Sequence, residues 1–134
     1  APNALAQDAR VRGYLEYGIA VHAAAGYARD ATIPDLELNM RLDRPHLWSV
    51  YLNEGVAYRV YGACDDSCSD LDMEIYGSDG ALVERDSARD DTPFVQITPN
   101  QSGRHFVRLW LYACAAETCA VAARVVSGGS PTPR

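Results

Sequence analysis

This sequence of 134 residues contains no lysine, so all twelve of its strongly basic residues are arginines. The absence excludes reactions that need a lysine side chain, such as P-loop phosphate binding and Schiff-base catalysis. The eighteen acidic residues outnumber the arginines and give a formal net charge of −6. Because a nucleic-acid-binding protein needs a basic face, this balance argues against a nucleic-acid partner.

The common catalytic motifs are also missing. The sequence has neither a Gly-x-Ser-x-Gly elbow nor a His-Glu-x-x-His zinc motif. Its three histidines, His22, His46 and His105, lie far apart along the chain. Isolated histidines of this kind are usually structural or surface residues, and we therefore expect a protein that is not an enzyme.

No apolar run is long enough to span a membrane. The longest candidate, residues 17–28, has twelve residues and includes His22, whereas a spanning helix needs about twenty. The chain starts at Ala1 instead of methionine, as an exported protein does after its leader is removed. We expect an extracytoplasmic protein, either periplasmic or secreted.

The four cysteines form two closely spaced pairs. They are Cys64 with Cys68, and Cys114 with Cys119. In an exported chain such an even set predicts two disulfides, which four cysteines can form in three ways. We favour the two local pairs, because each flanks a connection between predicted strands. Pairing between the two windows is one alternative, and a zinc site of four thiolates is another, although its cysteines are usually spaced more tightly.

The first thirty residues predict a helix. They are rich in alanine, and their apolar residues recur with helical spacing. One stripe consists of Val11, Tyr14, Leu15, Gly18 and Val21. A helix from residue 3 to residue 30 would run about 40 Å, which is as long as the rest of the domain is wide. Either Gly13, Gly18 or Gly26 breaks it, or part of it overhangs and meets a partner. We treat residues 1–30 as an N-terminal helical segment.

From Leu36 to Val126 apolar and polar residues alternate. The predicted strands are 36–42, 47–52, 56–63, 70–76, 81–85, 93–98, 104–112 and 119–126. Turn residues such as Ser78-Asp79-Gly80 separate them. Eight short strands at this spacing predict an all-β antiparallel sandwich or jelly roll in residues 31–126. Residues 127–134 are linker-like and predict a flexible tail.

One predicted strand carries apolar side chains on both faces. Phe106 and Trp110 share one face, and leucines and a valine occupy the other. A strand of this kind is covered twice, so we predict that the helix docks on Phe106 and Trp110, within one chain or between neighbouring chains. The predicted contact surface consists of Val11, Tyr14, Leu15, Gly18, Val21, Phe106 and Trp110.

Acidic residues are concentrated in residues 65–91, which hold ten of the eighteen acids and only two arginines. Calcium takes about six to eight oxygen ligands, so this density suggests a calcium site. Its predicted ligands are Asp65, Asp66, Asp70 and Asp72. The alternative, which we prefer, is that Asp70 and Asp72 cap backbone amides and that the other acids are solvated turn residues.

Aromatic residues offer a further binding surface. They would form a sugar-binding platform if they shared an exposed face. The candidates are Trp48, Tyr51, Tyr61, Trp110 and Tyr112.

Several short motifs follow one another in order across residues 45–126. They are Leu52-Asn53-Glu54-Gly55 before Tyr58-Arg59-Val60, the strand Asp70–Tyr76 with the turn Asp79-Gly80, then Asp86, residues 93–98, and Ser102-Gly103 before Phe106-Val107-Arg108. In this order they resemble the bacterial pre-peptidase C-terminal (PPC) domain, a β-sandwich of exported proteins. The resemblance implies the fold and export, and some relatives bind calcium. The N-terminal helix lies outside the family pattern.

These observations favour a non-catalytic exported accessory or assembly subunit that acts through protein–protein contacts. Its partner would be another protein or further copies of the chain. The alternative is a module that binds a cell surface, a matrix or a polysaccharide in a calcium-dependent manner. No cofactor is expected, apart from calcium in the alternative.

Overall fold

The computed structural model describes residues 4–128, which form one helix and nine strands. The elements are α1 (Ala4–Ala23), β1 (Ala28–Arg29), β2 (Leu36–Met40), β3 (His46–Leu52), β4 (Tyr58–Cys64), β5 (Cys68–Tyr76), β6 (Leu82–Asp86), β7 (Phe94–Ile97), β8 (Gly103–Cys114) and β9 (Cys119–Ser127). All eight predicted strands are present, and the short strand β1 is additional. Of the predicted tail, Ser127 belongs to β9, and residues 129–134 lie outside the described residues.

The strands form two antiparallel sheets. In the five-stranded sheet, β9 pairs with β1 and β2 on one side and with β4 on the other, and β7 forms the far edge beyond β4. The four-stranded sheet has the order β3-β8-β5-β6. From β2 to β9 each connection except β5–β6 crosses between the sheets, which is the connectivity of a jelly roll. The predicted β-sandwich with an added helix is confirmed.

The core lies between the two sheets and follows the predicted alternation. On β5, Leu71, Met73 and Ile75 are completely buried and face the other sheet. Val60 of β4 and Val121 of β9 meet them from the five-stranded sheet. The side chains between these positions point outwards, so each sheet also has an outer face.

The helix is shorter than predicted and ends at Ala23. Gly26 has a φ of 91°, and the Tyr27 amide donates a hydrogen bond to the His22 carbonyl at 3.1 Å. A left-handed glycine with this backward bond is a Schellman cap, which ends a helix. Of the three candidate glycines, Gly26 therefore ends the helix. The chain then turns into β1, so part of the predicted N-terminal segment belongs to a sheet.

The helix docks on the five-stranded sheet, so the predicted docking on Phe106 and Trp110 within one chain is wrong, and docking between neighbouring chains stays a prediction. Val11 and Leu15 are buried against outward-facing residues of β4 and β9. Those residues are mostly small, since Ala63, Ala120 and Ala122 lie among them. Small side chains let the helix backbone approach closely, whereas the bulky side chains of β8 lie on the other sheet.

Two polar contacts fix the helix to its sheet. The Tyr61 hydroxyl donates a hydrogen bond to the Leu15 carbonyl at 2.6 Å. Arg124 of β9, only 3% exposed, binds Asp35 at 2.8 Å and Glu16 of the helix at 2.6 Å. Hydrogen bonds to these carboxylates raise the pKa of Arg124, so the guanidinium is charged at any pH.

The disulfides are Cys64–Cys68 and Cys114–Cys119, which confirms the predicted local pairing. None of the cysteines is free, so no thiolate is left for zinc. Each bond joins the end of a strand in one sheet to the start of the next strand in the other. The two disulfides therefore hold the sheets together where the chain crosses between them.

Candidate functional site

Two concave regions lie on opposite outer faces of the sandwich. The first runs beside α1 along the five-stranded sheet. We call it the helix groove, and its main lining residues are Tyr14, Tyr17, Gly18, Val21, Tyr61 and Phe94. Its volume is about 590 Å³. It exists because α1 covers β4 and β9 and leaves the strip of sheet towards β7 open.

Apolar side chains stand exposed along this groove. Tyr17 is 79% exposed, Val21 is 59% exposed and Tyr14 is 44% exposed. All three lie on the helix, and Phe94 faces them from β7. Contiguous exposed apolar surface of this kind marks interaction sites in many proteins. Of the predicted contact residues, Tyr14, Gly18 and Val21 line the groove, whereas Val11 and Leu15 are used within the chain.

His22 closes one end of the groove. Its ring stacks on Tyr61 with 4.6 Å between centroids and meets the edge of Phe94 at 5.1 Å. Arg59 donates a hydrogen bond to the His22 Nδ1 at 3.2 Å. Burial, and then the charge of Arg59, lower the pKa of His22 to about 4. The imidazole is therefore neutral at physiological pH and acts as an acceptor.

The other end of the groove is acidic. Asp66 accepts hydrogen bonds from Tyr14 and Arg10 of the helix, and these bonds hold the pKa of Asp66 below its ordinary value. Asp65 is buried, and its two carboxylate oxygens accept hydrogen bonds from the backbone amides of Ser67 at 3.0 Å and Ala120 at 2.7 Å. Neither of these predicted calcium ligands is free, because Asp65 accepts hydrogen bonds from backbone amides and Asp66 accepts hydrogen bonds from the helix.

The second region is a polar pocket of about 380 Å³ on the outer face of the four-stranded sheet. We call it the carboxylate pocket, and its key residues are Asp70, Asp72, Arg89, Trp110 and Tyr112. Asp70 is 8% exposed and Asp72 is 3% exposed. Within residues 4–128 their Oδ1 atoms have no hydrogen-bond partner. The expected capping of backbone amides by these two aspartates is not found among the hydrogen bonds of the described residues.

The electrostatics of the pocket reflect this burial. Burial, and then the charge of Asp70, raise the pKa of Asp72 to about 6. Glu74 lies two residues beyond Asp72 on the same face, but unlike Asp72 it has several hydrogen-bond donors. It accepts hydrogen bonds from Arg85 at 2.7 Å, Tyr76 at 2.9 Å and Arg108 at 3.2 Å. Burial alone would raise the pKa of Glu74, but these partners outweigh it and hold the pKa low. Glu74 is fully satisfied, whereas the aspartates beside it are not.

The four predicted calcium ligands are divided between the two regions. Asp65 and Asp66 lie beside the helix groove, and Asp70 and Asp72 line the carboxylate pocket. Over residues 4–128 no group of three or more histidine, cysteine, aspartate or glutamate side chains is arranged to hold a metal ion. Calcium binding by these residues stays a prediction from the sequence.

The aromatic candidates are also divided. Tyr51, Trp110 and Tyr112 lie on the outer face of the four-stranded sheet, where Tyr112 is 68% exposed. Trp48 packs against the core and Tyr61 lies under the helix. The Arg108 guanidinium stacks over the Trp110 ring at 4.8 Å. Half-buried, Trp110 is thus covered in part by a neighbouring side chain, which explains why it needs no helix.

The fold and its two cross-links define a jelly-roll domain with a docked N-terminal helix. No family model matches the chain, and the search of curated proteins found none that is similar to it. The resemblance to the PPC family therefore stays a prediction. Of the helix described here, no stretch is both long and apolar enough to cross a membrane.

Proposed function

We propose that this chain is a non-catalytic accessory or assembly subunit that works outside the cytoplasm and binds a protein partner in the helix groove. The observation that carries the proposal is the row of exposed apolar side chains on α1 beside an open strip of sheet. The two disulfides support a periplasmic or secreted location, because such bonds persist in oxidising compartments. The motif order supports a PPC-like sandwich.

The lining of the groove specifies its occupant. From Tyr14 to His22 the helix rises by about 12 Å, so the groove accommodates about two turns of a partner helix. Its walls are tyrosine, valine and phenylalanine, and Asp91 lies at its acidic end, near Asp66, which Arg10 and Tyr14 already hold. A complementary partner presents an amphipathic segment with an apolar face and a lysine or arginine near one end. The net charge of −6 favours approach by such a segment.

Site-specific photo-cross-linking in the native host tests this proposal. A photo-activatable residue in place of Val21 should cross-link to a single apolar segment that carries a basic residue. The matched control is Leu47, which is 58% exposed on the outer face of the other sheet. Val21→Glu should abolish the complex in size-exclusion chromatography, and Leu47→Glu should not. A segment from a second copy would identify a homo-oligomer. Equal cross-linking at both positions, or elution of the native chain as a monomer, would contradict the proposal.

The calcium-dependent alternative has less support, since Asp65 and Asp66 already have partners. It predicts that the melting temperature rises with calcium concentration, because a ligand that binds only the folded state stabilises it. Asp70→Asn should remove that rise. A melting temperature that does not change with calcium would argue against the alternative and leave the protein-binding proposal intact.

A further inference from the structure

We propose that the carboxylate pocket binds a neutral saccharide. In this arrangement Asp70 and Asp72 accept hydrogen bonds from neighbouring sugar hydroxyls, and Tyr112 contacts a face of the sugar ring. The carboxylate pocket lies on the sheet opposite to the helix groove. The saccharide proposal can therefore be tested independently of the protein partner proposed above.

The first argument is the state of the two aspartates. A buried polar atom in a folded protein is almost always hydrogen-bonded. Yet the Oδ1 atoms of Asp70 and Asp72 have no partner within the described residues, although both side chains are more than nine-tenths buried. Both line the same pocket. Two adjacent acceptors without donors are suited to a ligand that carries two or more hydroxyl donors close together.

The second argument is the local strand geometry. Asp72 pairs directly with Trp110, but the register between β5 and β8 shifts on both sides of Asp70. As a result Tyr112 has no direct partner on β5. Bulges of this kind re-aim side chains next to binding sites. Here the irregularity leaves an exposed tyrosine ring at the rim of the pocket beside the carboxylates.

The third argument is charge, which favours a neutral ligand over a cation. Arg85, Arg89 and Arg108 line the same pocket as the aspartates. Together with Asp70, Asp72 and Glu74 they leave the lining of the pocket without a formal net charge, so a compact cation such as calcium or an ammonium group gains no net attraction. A sugar needs no such attraction and uses both kinds of group, since its hydroxyls donate to carboxylates and its oxygens accept from arginine. Pockets that combine aromatic faces with a few polar groups are typical small-molecule sites.

The test uses the full chain and a set of neutral tetrasaccharides of glucose, N-acetylglucosamine, mannose and galactose. Amide NMR titration should show shifts confined to the three segments that line the pocket, residues 70–74, 85–89 and 108–112. Asp72→Asn and Tyr112→Ala should each weaken binding at least tenfold, because the first replaces an accepting carboxylate oxygen by an NH2 donor and the second removes the ring that contacts the sugar. Tyr51→Ala is the matched control, since it removes an exposed tyrosine from the same outer face outside the pocket. The melting temperature of each variant confirms that it folds.

Three results would overturn the proposal. The first is that none of the tetrasaccharides shifts any amide of the pocket. The second is that Asp72→Asn and Tyr112→Ala bind as well as the Tyr51→Ala control. The third is that calcium chloride or putrescine, titrated in parallel, shifts these amides and that Asp72→Asn removes the shift, since the pocket would then be a cation site.

Discussion

The two outer faces of the sandwich are built on similar strands but carry opposite surfaces. On β9 the outward row includes Ala120, Ala122 and Val126, and the helix covers it. On β8 the outward row includes Phe106 and Trp110 with arginines between them, and α1 does not pack on it. Helix docking therefore depends on the size of the outward side chains as well as on their polarity. Small residues allow a helix to pack on a sheet, whereas large aromatic residues that alternate with arginines leave this face without a helix.

Each face also holds one buried charge with two partners of opposite sign. Under the helix, Arg124 binds Glu16 and Asp35, and on the open face Glu74 binds Arg85 and Arg108. The two buried charges differ in how exposed their partners are. The side chain of Asp35 is only 17% exposed, whereas those of Arg85 and Arg108 are 53% and 39% exposed. After a mutation that removes the central charge, Asp35 therefore stays mostly buried with Arg29 as its remaining partner, whereas Arg85 and Arg108 are free to extend into water.

The largest expected effect comes from removing these central charges. Arg124→Ala leaves the mostly buried carboxylate of Asp35 with Arg29, at 3.2 Å, as its remaining partner, and we expect a loss of about 3 kcal/mol in the free energy of unfolding. Glu74→Ala leaves two arginines that can extend into water, and we expect a loss of about 1 kcal/mol. Urea unfolding at pH 7 measures both. Equal losses would mean that solvent reaches Asp35 as readily as it reaches Arg85 and Arg108.

A second comparison concerns pH, because the pKa of His22 on one face is lowered and the pKa of Asp72 on the other is raised. The folded pKa of His22 is lowered from 6.5 to about 4. Below about pH 6.5 the unfolded chain therefore binds a proton at His22, whereas the folded chain does not bind it until about pH 4. The free energy of unfolding falls as the pH falls through this range. The folded pKa of Asp72 is raised from 3.8 to about 6. Here the folded chain retains the proton, so stability falls as the pH rises from about 4 to 6.

The two effects oppose each other between about pH 4 and 6. Each pKa unit corresponds to about 1.4 kcal/mol, so the stability changes by at most about 3.5 kcal/mol through His22 and about 3 kcal/mol through Asp72. In the wild-type protein the two largely cancel. We expect His22→Gln to lose stability as the pH rises from 4 to 6, and Asp72→Asn to lose it as the pH falls from 6.5 to 4. Melting temperatures across this range measure both slopes.

Slopes of the same sign in the two variants would contradict this assignment. The double variant is the control, because it should show a flat profile like that of the wild-type protein. At pH 7 the Asp72→Asn variant should also melt at a higher temperature than the wild-type chain, since it removes a buried carboxylate that is charged at that pH.

The strands could be predicted from the sequence because alternation directly reports which residues face the core. Within the predicted strand 70–76, alternation places Leu71, Met73 and Ile75 on one face, and they are the fully buried residues of β5. The seat of the helix could not be predicted in the same way. An apolar pattern shows that a face needs cover, but it does not measure the space above it. The alanines of β9 are the sequence feature that could have indicated the docking site of the helix, but they are equally typical of an ordinary buried strand.

The site residues show a similar limit. Asp65, Asp66, Asp70 and Asp72 are close in sequence, and that closeness suggested a common ligand set. The first two lie in the connection between β4 and β5, beside the helix, while the second two lie on β5 and point away from the core. Arg124 was missed because it interrupts an otherwise apolar strand and its partners are distant in sequence.

The smallest expected effect tests how closely the helix approaches its sheet. A Cβ atom added to Gly18 would lie 2.7 Å from Cε2 of Tyr61, whereas one added to Gly13 would meet nothing within 4 Å. Tyr61 cannot easily move, since it is bonded to the Leu15 carbonyl and stacked on His22. Gly13→Ala should stabilise the protein by about 1 kcal/mol through helix propensity. Gly18→Ala should destabilise it by about 1 kcal/mol, because overpacking outweighs that gain.

Thermal unfolding of the two glycine variants, followed by circular dichroism, measures this difference. The pair is matched, because both substitutions lie in the same helix and add the same methyl group. If both variants were stabilised equally, Gly18 would not be in contact with Tyr61, and the helix groove would be wider than its lining residues indicate. Opposite signs would show that the helix rests directly on the sheet, and that the groove is a fixed feature to which a partner must conform.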